Sequence, residues 1–341
     1  MPIPGNLLTT AMAVMPHRDA AAALELALTL DVPFWPQLPN LDYREDMYVQ
    51  AAEHFPGAVV DMDRRTLRFS MERFLAEFEE TMARFDDPGV FDISRNASQV
   101  YHLFLDQDLA GRAAIRGQLE GPVSFGFNVL DDNDRPILFD DSIRPFMFEF
   151  MARRLNVQLA RLRQRNDNAF MFIDEPGLQF IFSAMSGYGE QQAKADLDLF
   201  FASVERPRGI HLCGNPDWEF LLGLDMDVLS LDIYSNAEIF ATCAKPLARF
   251  LDRGGVVVWG IVPTGFEAFA KESLGFLVMK LEAIWQHLCR KDLDLGQLLS
   301  RSLLSPATCC LVNPDGGQTV AGAFALVNSL SRQLREKYRL G

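Results

Sequence analysis

The chain has 341 residues, a hydrophobic content of 49% and a formal net charge of −14. This length and apolar content suffice for one large barrel, or for two average domains, with a sizeable core. The negative charge argues against nucleic acid or an anionic membrane surface as the main partner, because like charges repel.

Cysteine use and the N-terminal sequence predict a cytoplasmic protein. The five cysteines are odd in number and do not form a regular disulfide framework, which favours reduced thiols. The N-terminal sequence, MPIPGNLLTTAMAVMPHRD, lacks the basic region and the long apolar region of a signal peptide. No apolar stretch approaches the roughly 20 residues that span a bilayer, so we expect no membrane partner.

Short apolar runs alternate with longer amphipathic stretches along the chain. The apolar spacing predicts strands or extended runs at 9–15, 32–38, 113–121, 169–176, 209–214, 227–234, 256–263 and 302–310. It predicts helices at 19–30, 43–55, 70–85, 143–165 and 190–204. The region 56–112 fits this rhythm least well, and VVDMD followed by TLRFS predicts a small hairpin with added helices there.

The alternation predicts an α/β fold. About eight strands, each followed by a helix, favour a single (β/α)8 TIM barrel over residues 1–341, with a hairpin and helical insertion in its N-terminal half. The strands are continuously apolar, as expected for a parallel sheet buried on both faces. A doubly wound open sheet would alternate in a similar way, but no G-x-G-x-x-G follows a first strand.

Polar residues stand where the predicted strands end, which is where chemistry gathers in a barrel of this kind. These residues are Asp174, Glu175, His211, Cys213, Asp232, Cys309 and Cys310. His211 and Cys213 are two apart and therefore share one face of their strand. A histidine, two cysteines and a carboxylate make four ligands, the number that zinc prefers. The sequence thus predicts a zinc site formed by His211, Cys213, Asp232 and either Cys309 or Cys310.

The remaining candidates have less support from the pattern. A free cysteine is more often a small buried hydrophobe than a ligand, and we interpret Cys243 and Cys289, on helical stretches, as structural. His17, after the first strand, is a candidate catalytic residue. Trp35 and Trp218 are candidates for stacking on a large cofactor, although aromatic residues near strand ends belong more often to the core.

Several motifs together resemble a known family. IDEP at 173–176, the His-x-Cys strand, the strand that ends in an acid and the late cysteine are similar to the catalytic barrel of cobalamin-independent methionine synthase. That barrel belongs to a superfamily with uroporphyrinogen decarboxylase and the corrinoid:thiol methyltransferases. The similarity runs over most of the chain, and EGPVSF at 120–125 resembles the G-P-V-T turn of the synthases.

The resemblance implies specific roles. It implies a zinc ion held by His211, Cys213, Asp232 and Cys309, with Cys310 as the alternative to Cys309. The zinc would bind the acceptor thiol of homocysteine, and Asp174 would receive the amino group of the substrate. By analogy with single-barrel relatives, a methylated corrinoid carried by another protein is a candidate methyl donor.

The sequence also departs from the synthases. Asp232 stands where they have Glu, and its carboxylate reaches about one methylene less far. Ala13 and Val14 replace the Gly-Ser that cradles the amino acid, and GIVPTGFEAF has no counterpart of the late catalytic histidine. The folate-binding half of the synthases and the arginine-rich start of the decarboxylases are also missing.

The predicted chemistry is alkylation of a small thiol. Zinc deprotonates a bound thiol, and the thiolate is the nucleophile. An anionic ligand set would keep that thiolate reactive, and Asp174 and Glu175 would hold a cationic group of the acceptor.

Two other functions stay open. A barrel that binds a thiol or a corrinoid without turnover would keep the metal ligands but lack other catalytic residues. A lyase or decarboxylase would need cationic side chains at the barrel mouth, and Arg112, Arg116 and Arg144 are the candidates near strand ends.

Overall fold

The structure is a computed structural model that describes residues 3–181 and 187–341. Its strands are β1 Leu8–Thr9, β2 Ala58–Asp61, β3 Thr66–Phe69, β4 Ile115–Glu120, β5 Ala169–Asp174, β6 Arg208–Leu212, β7 Val228–Asp232, β8 Val256–Val262 and β9 Ser302–Pro306. In the described part of the chain, seven of them form a parallel sheet in the order β1-β9-β8-β7-β6-β5-β4. The predicted α/β barrel is confirmed.

Helices connect and cover the strands. They are α1 Ala20–Leu28, α2 Met47–Ala52, α3 Met71–Ala83, α4 Pro88–Phe91, α5 Gln99–Leu105, α6 Pro122–Asn128, α7 Arg144–Arg163, α8 Glu190–Ser203, α9 Trp218–Gly223, α10 Ile233–Phe240, α11 Ala244–Asp252, α12 Phe266–Phe269, α13 Leu274–Cys289, α14 Leu295–Ser300 and α15 Gln318–Tyr338. Among these described helices, none combines the length and the apolar character needed to cross a membrane.

An extended segment, residues 32–37, joins the two edge strands of the sheet. On one side, the Val32 N–H donates to the Thr9 carbonyl oxygen over 2.9 Å, and on the other the Arg116 N–H donates to the Pro33 carbonyl oxygen over 3.0 Å. Prolines at 33 and 36 cannot donate to a ladder, which keeps the pairing irregular. The segment takes the place of an eighth strand and closes the barrel.

The predicted first strand, 9–15, is only partly correct. The regular pairing of β1 ends at Thr9, and a single isolated bridge pairs Val14 with Gln37. The hydrogen bonds of this stretch are divided between two neighbours, because the Thr10 N–H donates to Leu304 in β9 while the Met15 N–H donates to Gln37.

The insertion in the N-terminal half is confirmed. β2 and β3 form an antiparallel hairpin, followed by α3, α4 and α5. Phenylalanine rings fasten this insertion to α7: the ring centroid of Phe74 in α3 lies 5.6 Å from that of Phe69 in the hairpin and 5.8 Å from that of Phe146 in α7. The insertion therefore stands beside the barrel and leaves the sheet uninterrupted.

The barrel interior changes from apolar to polar along the strands. Phe170 and Phe172 of β5 pack with Val228, Val258 and other aliphatic residues in a core of their own. Since residues two apart in a strand share a face, the next inward position of β5 after Phe172 is Asp174. The apolar layers fill the amino-terminal end of the barrel, and polar groups line its carboxyl end.

Gly209 of β6 makes room for the interior ring of Phe172. A Cβ atom at position 209 would lie 2.8 Å from the Phe172 ring and 2.9 Å from Val228 Cβ. We expect Gly209→Ala to lower the free energy of unfolding by about 1 to 3 kcal/mol, the usual cost of overpacking a core. Urea denaturation measures this change.

Gly275→Ala is the matched control, because a Cβ atom at that position in α13 meets open space. The control should be as stable as the parent or slightly more so, since alanine favours helix. A Gly209→Ala variant as stable as the control would show that the interior relaxes around the added methyl group.

Candidate functional site

Four polar residues lie side by side at the carboxyl end of the barrel. Glu120 in β4, Asp174 in β5, His211 in β6 and Ser230 in β7 are successive partners in the strand register. Aligned residues of neighbouring parallel strands share a face, so their side chains line one cavity. We call the group formed by these four residues with Cys213, Asp232 and Cys309 the mouth cluster.

His211 presents an unused nitrogen inside the mouth cluster. Its Nδ1 lies 3.0 Å from Ser230 Oγ, and its buried Nε2 has no hydrogen-bond partner among the described residues. Burial and, to a smaller extent, the nearby charge of Arg116 together lower the pKa of His211 to about 3, so the ring is neutral. When Nδ1–H donates to Ser230, Nε2 carries the free lone pair that a metal ion or a proton donor can use.

Two thiols lie close enough to Asp174 for its charge to raise their pKa. Burial raises the pKa of Cys309, and the charges of Asp174 and Cys213 raise it further, while the Val14 N–H donates to the thiol and opposes the shift. Cys213 is accessible within the mouth, but the surrounding protein raises the pKa of its thiol, as does Asp174. The predicted residues Cys213, Cys309 and Asp174 are therefore brought together.

Cys310 takes a different direction from Cys309. Its side chain packs against the hydrophobic layer outside the barrel, and its Sγ donates to the Val312 carbonyl oxygen over 3.5 Å. The alternation of side chains in extended chain explains the difference, because adjacent residues point to opposite sides. This placement favours Cys309 as the cysteine of the site.

Arg116 lies buried in the barrel below the mouth cluster. Its Nε donates to Thr10 Oγ1 over 3.1 Å and its Nη1 to Gln118 Oε1 over 3.0 Å, and its Nη2 donates to the Ala11 carbonyl oxygen. Burial lowers the pKa of Arg116 to about 10, while Asp174 and Cys309 oppose the shift.

The acidic groups of the mouth resist ionisation. Burial raises the pKa of Asp174 to about 7, against the attraction of Arg116. Burial also raises the pKa of Glu120 well above its ordinary value, and Asp174 adds to this. Sequence reasoning missed Glu120, although it ends β4 just as Asp174 ends β5, and the same reading of strand ends would have found it.

Glu175 does not face the mouth, contrary to the prediction that it holds a substrate. Its carboxylate accepts hydrogen bonds from the Val123 N–H over 2.9 Å, the Ser124 N–H over 2.8 Å and the Ser124 hydroxyl over 2.6 Å. These donors belong to the first turn of α6, and the fully buried carboxylate satisfies them. Glu175 fixes the start of α6.

Asp232 belongs to the mouth cluster and also caps a helix. Its Oδ1 accepts from the Ser235 N–H over 3.0 Å and caps α10. Burial raises the pKa of Asp232, although these backbone bonds and the charge of Lys280 oppose the change. Its second oxygen does not take part in this cap. The charge of Asp232 contributes to the raised pKa of Cys213.

The two tryptophans lie in the outer hydrophobic layer, and we remove both from the site. Trp35 is fully buried with its ring centroid 4.9 Å from that of Tyr101. Trp218 is also buried, its ring centroid 5.3 Å from that of Phe240, and its Nε1 donates to Asn215. Neither ring has a free face on which a cofactor could stack.

His17 lies at the rim, beside Gly317 at the start of α15. A Cβ atom at Gly317 would lie 2.7 Å from His17 Nε2, and the buried Nδ1 has no hydrogen-bond partner in the described residues. Burial lowers the pKa of His17. Among the described residues, no hydrogen bond or ion pair joins His17 to the mouth cluster, and its catalytic role stays a prediction.

The arginines proposed for a decarboxylase do not gather at the mouth. Arg112 precedes β4 and donates to the Leu30 carbonyl oxygen, which places it at the opposite end of the barrel. Arg144 begins α7 and pairs with Asp141 and Asp196 at 2.6 and 3.0 Å. Arg116 alone of the three reaches the interior, where each of its three nitrogens donates one hydrogen bond to the protein.

The donors of the mouth cluster do not form a finished metal site. In residues 3–181 and 187–341, no group of three or more His, Cys, Asp and Glu side chains is arranged to hold a metal ion. The chemistry of the set nevertheless suits zinc, since it offers an imidazole nitrogen, two sulfurs and a carboxylate. Binding would require these side chains to rotate toward one another.

Comparisons with known proteins support the fold. No family model matches the chain, and no curated protein matches it. A methyltransferase from Methanosarcina mazei is similar in structure, with a TM-score of 0.56 and 14% identity over 98% of this chain and 94% of that one. A B12-independent methionine synthase from Shewanella sp. W3-18-1 gives a TM-score of 0.52 and 14% identity over 99% and 98%.

These likenesses establish a shared fold, and function has to be argued from the site. The predicted resemblance to the methionine synthase barrel is confirmed for the architecture. The zinc, the thiol acceptor and the corrinoid donor remain to be argued from the residues.

Asp174 should make stability depend on pH. Its pKa is about 7 when folded, against an ordinary value of 3.8, so the unfolded chain ionises first as pH rises and stability falls between about pH 4 and pH 7. We expect Asp174→Asn to reduce the slope of the urea midpoint against pH in that window.

Asp108→Asn, at an exposed position, is the control and should keep the parental slope. Equal slopes in all three proteins would show that Asp174 ionises in the folded protein as readily as in the unfolded chain.

Proposed function

We propose that this protein transfers a methyl group to a small thiol at a zinc ion held in the mouth cluster. The observation that carries the proposal is the buried, unpartnered Nε2 of His211 in the same cavity as the thiols of Cys213 and Cys309. An unpartnered buried nitrogen is costly, and coordination to a metal would satisfy it.

Four residues would hold the ion: His211, Cys213, Cys309 and Asp232. Zinc would supply the positive charge that keeps an acceptor thiol in its thiolate form at neutral pH. Ser230 orients the His211 ring through Nδ1, and such outer contacts tune metal affinity.

The proposed transfer forms one bond to the methyl carbon and breaks another. An S–CH3 bond forms as the bond between the methyl carbon and the donor's leaving atom breaks, and the electron pair of that bond leaves with the donor. The thiol loses its proton to a carboxylate or to solvent. With a pKa of about 7, Asp174 can accept a proton near neutral pH and can also hold a cationic part of the acceptor.

The donor we propose is a methylated corrinoid brought by a partner protein. Exposed apolar side chains stand in the segments that follow the strands: Phe180 is 54% exposed, Phe266, at the start of α12, is 44% exposed and Val312 is 89% exposed. The Asn313 side chain accepts from the Phe266 N–H, which joins two of these segments. Exposed apolar groups of this kind are typical of surfaces that bind large partners.

Metal content tests the site. We expect the purified protein to bind about one zinc ion per chain after zinc is supplied, as measured by elemental analysis. Cys213→Ser and Cys309→Ser should each lose most of this zinc, because each removes a soft ligand. Cys310→Ser should retain it, because that side chain points outward.

The adjacent pair Cys309 and Cys310 makes the test sharp. Loss of zinc from Cys310→Ser but not from Cys309→Ser would reverse the assignment. A parent protein that binds no zinc would remove the metal from the proposal. Circular dichroism of each variant separates a lost ligand from a lost fold.

Activity tests the reaction. With methylcobalamin as donor and homocysteine or 2-mercaptoethanol as acceptor, we expect a thioether product, detected by mass spectrometry. His211→Ala should lower kcat/KM by about 100-fold or more, since it removes a ligand of the ion that activates the thiol.

Zinc binding without transfer to any thiol would favour the alternative of a barrel that binds its ligand without turnover. Activity that survives in His211→Ala and Cys309→Ser alike would place the chemistry elsewhere in the molecule.

A further inference from the structure

Glu120 is a buried acid of the mouth that the proposed function leaves unused. It is 4% exposed, and its Oε1 has no hydrogen-bond partner among the described residues. The hydroxyl of Tyr48 lies against its carboxyl group. Asn128 Nδ2 donates to that hydroxyl, which leaves the Tyr48 proton free to donate to Glu120.

Glu120 and Asp174 form a pair of neighbouring carboxyl groups. They are partners in the register of β4 and β5, and adjacent strands lie about 4.8 Å apart. In the described part of the chain, no hydrogen bond reaches the Asp174 carboxylate, which faces the charge of Arg116 from a distance. Two carboxyl groups with free oxygens on one wall suit a ligand that carries several N–H donors.

The cations near the mouth are committed to the protein itself. Each of the three guanidinium nitrogens of Arg116 already donates a hydrogen bond, and the group is enclosed between the rings of Phe34 and Phe172 at 4.5 and 4.8 Å. Lys280 donates to the Tyr234 carbonyl oxygen over 2.8 Å, and its nitrogen lies 3.7 Å from the centre of the Tyr234 ring.

Backbone donors in the extended stretch after β1 are also used. The Val14 N–H donates to the Cys309 thiol, and the Met15 N–H donates to the Gln37 carbonyl oxygen over 3.0 Å. The mouth therefore offers carboxyl groups to a ligand, whereas the cations and amide groups nearest to it already have partners. A carboxylate entering this cavity would meet like charge.

We propose that the acceptor is a thiol that carries an amino group and no carboxylate, and that Glu120 and Asp174 bind its ammonium group. This inference rests on the proposed function, because it names the class of the same acceptor. It predicts that an aminothiol is a better substrate than an amino acid such as homocysteine, whose carboxylate would find no free partner.

A series of thiols with the same two-carbon spacer tests the proposal in the zinc-loaded protein with methylcobalamin as donor. The series is 2-aminoethanethiol, 2-mercaptoethanol and 3-mercaptopropionate, with homocysteine beside them. We expect kcat/KM for the amine to exceed that for the alcohol by about 10-fold, the effect of a charge-assisted hydrogen bond, and the acid to be poorest. Glu120→Gln should remove most of this preference, by lowering kcat/KM for the amine more than kcat/KM for the alcohol.

Binding to the metal-free protein gives a readout that does not need turnover. By calorimetry, 2-(methylthio)ethylamine should bind about 10-fold more tightly than methionine, and Glu120→Gln should weaken the amine selectively. Glu79→Gln, at an exposed position of α3, is the control for loss of a carboxylate and should change neither ligand.

The outcomes separate the two proposals. If no thiol is methylated but the amine still binds selectively through Glu120, the proposed reaction fails and the recognition stands. If homocysteine is the better acceptor, the recognition is overturned and methyl transfer stands. If methionine binds as tightly as the amine, the recognition is overturned whether or not a thiol is methylated.

Discussion

The enclosed positive charge of Arg116 is the constraint on which the polar end of the barrel depends. A buried guanidinium is costly unless its hydrogen bonds are made and an opposite charge is near. Thr10, Gln118 and Ala11 accept its hydrogen bonds, and Asp174 faces its charge. In the strand register Arg116 is level with Phe170, and its guanidinium group lies against the rings of Phe34 and Phe172, so its charge is held within the apolar layers below the mouth. Removing it would leave Asp174 without a counter-charge.

Helix caps hold the loops above this charge. Glu175, just after β5, bonds the first turn of α6, which follows the neighbouring strand β4, and Asp232, at the end of β7, bonds the first turn of α10. The adjacent residues Asp174 and Glu175 consequently have different roles. Asp174 faces the cavity, and Glu175 fixes the start of α6 beside it. Acids therefore satisfy helix termini around the ends of the strands.

Sequence patterns predicted the strands, the hairpin and most of the mouth cluster, because strand ends are visible in a run of apolar residues. They failed where the answer depends on distant contacts. The partners of Glu175 lie some fifty residues away, at Val123 and Ser124, and no local pattern signals them. The segment 32–37 pairs irregularly because of its prolines. The cap made by Asp232 was readable, since Ser235 follows three residues later.

The buried acids and thiols of the mouth favour both the proposed zinc ion and the proposed aminothiol. Burial raises the pKa of Asp174, Glu120 and Cys309 alike, so the mouth holds protons that it would release to an entering cation. A divalent metal near His211 and Cys309 and an ammonium group near Glu120 and Asp174 would each supply positive charge to a different wall of the same cavity. The thiol of an aminothiol lies one short spacer from its ammonium group, so binding at the carboxyl wall would bring its sulfur toward the metal wall. The separation of these walls across β4, β5, β6 and β9 would then set the length of the proposed acceptor.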